Sequence, residues 1–265
     1  MIKLERIDPV NGSPITVPSS LNSRNTITRR NELIAHGAWK NDTRYRRPYK
    51  NDDVRAALML FSFNKCCFCE QILTIATATT VPDDSFSREH FRSKSKYWWL
   101  AYSWDNLLSV CTACNGAKED AFDINGTFRP YLPTDLANIH TLAEIYNRTE
   151  QPNYIHPEFD NPETLIEYRA NGTIFSSDSK GTNTILAYNL DRIELQRLRK
   201  KIYGDFKTEY DLIMLSGKTD EDKKSDILTM FRNFSVESDE EHRHNPFLGF
   251  RRYVMRNDIR NLILS

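Results

Sequence analysis

Three things are missing from this 265-residue sequence. It has no net charge, since 36 Lys and Arg stand against 36 Asp and Glu. Nucleic-acid affinity comes largely from neutralising phosphates with release of counterions. A chain so balanced can grip nucleic acid only through local patches, and its affinity in isolation should be modest. It has no apolar run near the ~18 residues that a membrane span requires, which argues against a helical membrane protein. It has no signal-type apolar region in Met1-Ile2-Lys3-Leu4-Glu5-Arg6, so the cytoplasm is the expected compartment. Internal repeats and low-complexity linkers are absent as well. What remains is ordinary for a globular protein, 39% hydrophobic and 27% charged. The length suffices for one large domain or two small ones with a sizeable core.

Cysteine is scarce, 5 in all, and its placement is informative. Four form two C-x-x-C pairs, Cys66/Cys69 and Cys111/Cys114. Each short turn aims two thiolates at one ion, which is tetrahedral zinc spacing. The fifth, Cys67, lies inside the first turn and reads as a bystander. Paired disulfides or unrelated buried thiols are the competing reading, disfavoured where nothing places the chain in an oxidising compartment. Four thiolates leave no open coordination position, so this Zn²⁺ is structural and any chemistry must come from elsewhere.

The residues between the pairs supply a candidate. Glu89-His90-Phe91-Arg92-Ser93-Lys94 sits in the middle, Trp104-Asp105-Asn106-Leu107-Leu108 follows, and Asn115 and Lys118 come just after the last cysteine. His90 suits a general base, because imidazole titrates near about pH 6.5 and accepts a proton at neutrality. A lone histidine on a hairpin is more often a partly buried structural residue; the company it keeps here tips the balance. This order of acid-His, Asn-Leu and C-x-x-C-Asn-x-x-Lys resembles the HNH endonucleases. It is most like the PtuB-type HNH nucleases of Septu and retron-linked antiphage systems. Asn171-Gly172, the stretch from Thr184 to Arg199 and His244-Asn245-Pro246-Phe247 also fall where those proteins carry similar residues.

The resemblance implies a metal-dependent endonuclease that hydrolyses phosphodiesters. It implies His90 as base, Glu89 and Asn115 on the catalytic cation, and Asn106 as the residue framing the loop that orients His90. Lys118, one turn into the final helix of the motif, would reach a phosphate, and Arg92, Lys94 and Lys96 cluster where a substrate backbone would pass. Asn115 stands where the family commonly has a second histidine. An all-oxygen pair is a harder site, favouring Mg²⁺ or Mn²⁺ over Zn²⁺. DNA is the favoured substrate, with RNA open through the retron-linked relatives, where a tRNA can be the target. An ABC/SMC-like ATPase of the PtuA type is the implied partner. The reading from another class is a catalytically inactive, zinc-stabilised nucleic-acid or protein binding module. It would be expected to have lost part of the Glu89/His90/Asn106/Asn115 set, and none is missing.

The expected fold is α+β and mainly α. It comprises a lead-in with helices (1–64), a ββα-metal core with zinc knuckles (65–130), and a mostly helical extension (131–265) with a β-hairpin near 165–175. Helices are expected over Arg24–Gly37, ended by the glycine, and over Asn51–Phe63. Between Arg24 and Lys50 eight basic residues face two acidic ones. The Thr43–Lys50 part, with Tyr45 and Tyr49 interleaved, is either a phosphate-gripping arm or a solvated loop. The β-branched run Ile72–Val81 and the segment carrying Arg88–Phe91 are expected to form the two strands, around a turn at Pro82-Asp83-Asp84-Ser85. Tyr97-Trp98-Trp99 reads as core, and His156, Glu158 and Asp160 as loop residues. Asn171-Gly172 is a strong hairpin signal. Asp191 is expected to cap a long helix striped by Leu195, Leu198, Ile202, Phe206, Tyr210 and Ile213, with Arg197, Arg199, Lys200 and Lys201 solvated. The acidic stretches near Asp220 and at Glu237–Glu241 read as loops, and a helix from Phe247 to Leu264 closes the chain. Either of the last two helices offers a docking face for the partner.

Overall fold

The structure is a computed structural model that describes residues 1–9, 11–74, 85–235 and 245–259. It is α+β with mainly helical content. Helix α1 (Arg24–His36) begins where Ser23 Oγ accepts the Thr26 N–H. It ends at Gly37, whose φ of 74° is the left-handed conformation a helix C-terminus favours. Helix α2 (Thr43–Lys50) replaces the arm or loop expected from its sequence. Asp42 caps it, and Tyr45 and Tyr49 are buried, so the aromatic residues interleaved with the basic cluster anchor the segment. Helix α3 (Asp52–Phe61) opens with two acidic residues, which suit a helix N-terminus, and buries Val54, Leu58 and Phe61 completely.

The knuckle that follows is a tight turn in which Phe63, Asn64 and Glu70 all have positive φ. Strand β1 (Phe86–His90) pairs antiparallel with β2 (Leu107–Cys111), His90 opposite Leu107 and Glu89 opposite Leu108. The strand partner is therefore Leu107–Cys111 and not the β-branched Ile72–Val81 run. Of that run, Ile72 forms an isolated bridge with Lys65, while residues 75–84, including most of the expected turn, lie outside the described residues. β2 is buried on both faces, so its sequence, apolar but for Ser109, lacks the alternation by which a half-exposed strand is recognised. Helix α4 (Thr112–Lys118) leaves β2 without a loop, Cys111 Sγ accepting the Cys114 N–H at its start. Tyr97 and Trp99 are core residues, as their sequence suggested.

The second half wraps this centre. Its elements are α5 (Ala143–Glu150), α6 (Pro162–Leu165), the hairpin β3 (Glu167–Tyr168) and β4 (Ile174–Phe175), α7 (Ser179–Ala187), α8 (Ile193–Leu215), α9 (Asp220–Ser235) and α10 (Leu248–Val254). Gly172 makes the hairpin turn with φ of 89°. A Cβ there would lie 2.1 Å from the Gln196 carbonyl oxygen, so the turn needs glycine twice over. Arg192, not Asp191, occupies the N-cap of α8; the Asp191 carboxylate instead accepts the Ile174 N–H of the hairpin. Arg199 is not solvated. It is buried and donates to the carbonyls of Gly172 and Leu190 at 3.0 and 2.8 Å. The acidic stretch at Asp220 starts α9 rather than a loop, since three acidic residues in the first turn complement the helix dipole and Thr219 Oγ1 accepts the Asp222 N–H. Helix α10 is followed by a wide turn, Met255–Ile259. Glu237–Glu241, His244 and the end of the expected closing helix lie outside the described residues. Buried residues form one cluster from Met1 to Val254. Phe247, Phe250 and Val254 are spent on it, whereas Leu212, Leu215 and Leu228 on α8 and α9 stand exposed. No helix among the described residues is long and apolar enough to cross a membrane.

Candidate metal centre and hydrolytic pocket

Cys66, Cys69, Cys111 and Cys114 meet with their sulfurs all within 4.8 Å of one another, and all four are buried. Tetrahedral zinc with bonds of about 2.3 Å sets its sulfurs ~3.8 Å apart; the Cys69 and Cys111 sulfurs are 3.7 Å apart. This is the donor set and spacing of a closed zinc site. Hydrogen bonding from Cys114 and Cys66 drives the Cys111 thiol well down, while burial drives Cys66 up. Packed thiols thus share out negative charge that a cation would hold. Arg192 also faces the cluster. Its Nη1 donates to Cys114 Sγ at 3.5 Å, and its Nη2 donates to Gln71 Oε1 at 3.2 Å and to Cys111 Sγ at 3.8 Å. Burial opposes the charge on Arg192, but Cys114 and Cys69 more than offset it, raising its pKa. Cys67 points elsewhere. It is buried against Ser109 Oγ at 3.3 Å, and burial pushes its thiol up to about 12. It stands outside the four-sulfur cluster, a bystander to it as its place in the turn suggested, and packs in the core.

β1 and α4 wall a separate open cavity of about 740 Å³, lined among others by Glu89, His90, Lys94, Asn115 and Asp120. His90 Nε2 lies 3.0 Å from the Ala101 carbonyl. A carbonyl can only accept, so the ring proton is on Nε2 and Nδ1 is left with a lone pair and no partner among the described residues. The Tyr49 ring meets the imidazole edge-on at 4.7 Å between centroids. Burial and then the Lys94 charge lower the His90 pKa to about 3, so the ring is neutral. Asn106 does not line this cavity. Its Oδ1 accepts the Arg92 N–H at 2.8 Å, its Nδ2 donates to the Arg92 and Leu100 carbonyls, and its own carbonyl accepts the Phe91 N–H. It frames the turn that follows His90.

Four cationic residues were expected at the substrate, and the structure separates them. Lys94 lines the cavity, its pKa lowered by burial against the pull of Asp120. Lys96 is exposed away from it, over the Phe128 ring. Arg92 is buried, with Nε 2.8 Å from Glu150 and Nη2 2.7 Å from Asn147, so it cannot meet a phosphate. Lys118 is buried too. Its ammonium is ion-paired with Glu89 and donates to the His90 carbonyl at 3.0 Å. Burial raises the Glu89 pKa against this opposing charge. Sequence reasoning placed neither Tyr49 nor Asp120 at this cavity. Asp120 lies two residues past Lys118 and was findable as an acid beside the motif; Tyr49, 41 positions before His90, stood out only as an aromatic in a basic cluster.

No protein-family model matches the chain. It is similar to Septu protein PtuB of Bacillus mycoides (strain KBAB4), 28% identical over 172 residues, which is 59% of this chain and 53% of that protein. Septu protein PtuB of Bacillus thuringiensis is 27% identical over 187 residues, 69% of this chain and 53% of that protein. Septu protein PtuA of Bacillus mycoides (strain KBAB4) is 28% identical over 153 residues, 54% of this chain and 20% of that protein. The chain thus spans about half the length of the PtuB relatives and a fifth of the PtuA relative. These likenesses support a Septu-type family.

Proposed function

We propose that this chain is a metal-dependent HNH endonuclease acting on DNA in the cytoplasm, as the nuclease component of an antiphage defence complex. The likeness to Septu proteins supports the defence role, and the PtuA likeness supports a PtuA-type ATPase partner. The observation that carries the activity is the His90 ring, held through Nε2 with Nδ1 open, in one cavity with Glu89 and Asn115. A hairpin running straight into a short helix, braced by four cysteines, is the arrangement expected of a ββα-metal core.

The donor set fits a hard cation. The Glu89 carboxylate and the Asn115 amide oxygen would hold Mg²⁺ or Mn²⁺, with Asp120 nearby. When bound, such an ion supplies charge for the scissile phosphate and the leaving oxygen. His90 Nδ1 accepts the proton of the attacking water, and the Ala101 carbonyl keeps the ring from turning. A base near pH 3 is too weak for that task at neutrality. A substrate phosphate beside Lys94 cancels the second cause of the depression, so the pKa climbs as substrate arrives. One observation favours the alternative of an inactive binding module, namely that Lys118 already neutralises Glu89. Plasmid nicking in Mg²⁺ or Mn²⁺ decides between them. The parent should cut, and His90→Ala should lose cutting at least about 100-fold while keeping its zinc and its fold. Equal cutting by the two proteins removes His90 from the chemistry, and a parent that never cuts is the binding module.

A further inference from the structure

A second cavity, of about 490 Å³, lies between α1 and the turn Pro133–Asn138. Arg30 reaches it from α1 with only 5% of its surface exposed. Among the described residues its one hydrogen bond, from Nη2 to the Tyr102 carbonyl, is stretched to 3.5 Å, and its buried Nε has no partner. No carboxylate pairs with it among the described residues. Other buried guanidiniums are better provided for. Arg92 has Glu150 at 2.8 Å. Arg199, although its Nε also lacks a partner among the described residues, donates to two carbonyls at 3.0 Å or less where Arg30 reaches one at 3.5 Å. Burial lowers the Arg30 pKa to about 10, which still leaves it charged at neutral pH. A buried charge without a counter-charge is costly, so its persistence asks for an anion.

The rim of the cavity is polarised in the same sense. The Trp104 N–H donates to His140 Nδ1 at 3.1 Å, so that nitrogen carries no proton. The ring proton is then on Nε2 and is donated to Asn22 Oδ1 at 2.9 Å. With its oxygen used, the Asn22 amide presents its NH₂ donors, which have no partner among the described residues. None of the residues lining the cavity is acidic, and Ile27 and Leu136 add apolar wall.

We propose that this cavity binds a small organic oxyanion, a phosphate monoester or a carboxylate. Its charged group sits on Arg30 and Asn22, and its body lies against Ile27 and Leu136. The volume is within the ~300–1,000 Å³ common for small-molecule sites. The inference is independent of the nuclease reading, because no residue of the His90 cavity takes part.

Thermal melts of the full chain test it, with inorganic phosphate, acetate, adenosine 5′-monophosphate and adenosine as probes. At saturating concentration at least one anion should raise the melting temperature by about 3 °C or more, and adenosine should not. A response to phosphate and the monophosphate but not acetate assigns a phosphate ligand; a response to acetate alone assigns a carboxylate. Arg30→Met should melt at or above the parent without ligand, having lost an uncompensated buried charge, and should show no anion shift. Asn22→Leu should weaken binding at least fivefold in calorimetry. The site is refuted if no anion shifts the parent, or if Arg30→Met keeps the shift. It is refuted equally if Arg30→Met melts well below the parent without ligand, since Arg30 would then be a framework residue.

Discussion

His90 shows how much a single side chain depends on its two ring nitrogens being treated differently. One is committed to the Ala101 carbonyl, and the other faces the cavity. Glu89 and Asn115 differ from it in offering only oxygen. Glu89→Gln and Asn115→Ala should each weaken Mn²⁺ binding about tenfold or more in calorimetry, with cleavage partly restored by excess Mn²⁺. An unaltered Mn²⁺ affinity in both would take them off the cation. His140 gives a separate, pH-dependent expectation. Burial and the nearby Arg30 charge lower its pKa from 6.5 to about 4. Its unfolded form therefore binds a proton before its folded form does, and the stability it contributes is complete above pH 6.5 and lost as pH falls towards 4. The loss is at most about 3 kcal/mol, reduced by the water that reaches the ring. Glu89, Asp105 and Glu158, whose pKa values are raised mainly by burial, act in the opposite sense. Comparing the parent with His140→Gln cancels their contribution, and urea midpoints should fall less steeply with acid in the variant. Identical slopes would rule out the effect. At this scale the sequence singled out Glu89, His90 and Asn115, which line one cavity, but not which cations stay free. Arg92 and Lys118 read as phosphate contacts and Arg199 as a solvated charge, and only the fold reveals the acids and carbonyls that enclose them.

Among the elements, the four-cysteine knuckle and α8 are joined by Arg192. Loss of N–H donors that support a metal's ligands commonly costs 10–100-fold in affinity. Arg192→Ala should therefore release zinc to a chelator about tenfold faster or more, with little change in helix content. Cys114→Ser should unfold the centre, because structural zinc contributes on the order of 10 kcal/mol at neutral pH, while Cys67→Ala should retain zinc. A Cys114→Ser protein that melts like its parent would contradict the zinc framework. The helices most legible in the sequence were those with a clear apolar stripe, α1, α3 and α8, of which only α1 carries a side-chain cap. The hidden ones had misleading local cues. Pro48 and four basic residues disguised α2, and three acids disguised α9. The strand β2 was concealed by complete burial, which erases the alternation a strand is read from.

For the whole molecule the decisive quantity is a net charge of zero. With Arg92 and Lys118 turned inward, fewer phosphate contacts are available than the sequence promised. Non-specific affinity should stay in the ~10⁻⁴–10⁻⁶ M range at physiological salt and weaken further as salt is added. A tethering partner supplies effective concentration without new contacts to the substrate. The exposed leucines Leu212, Leu215 and Leu228 are the face we expect it to use, because α10, the alternative, spends its apolar residues inside. Isolated protein at sub-micromolar concentration should cut weakly, and a PtuA-type ATPase should change the rate severalfold. Full cutting by the isolated chain, indifferent to the ATPase, would dismiss the partnership.

Helix α4 is only seven residues long, and both its ends are tied down. Cys111 and Cys114 hold the first turn, and Lys118 at the last residue is fastened to Glu89 and to the His90 carbonyl. A chelator that strips an ion from the cysteines thus slackens a spring whose far end is Glu89 and His90, the pair proposed to act on the phosphodiester. Inhibition by such a reagent is then no proof that the ion removed took part in bond breaking. Re-addition of Mg²⁺ alone should fail to revive a protein treated this way, and an experimenter who skips that control would credit the wrong metal.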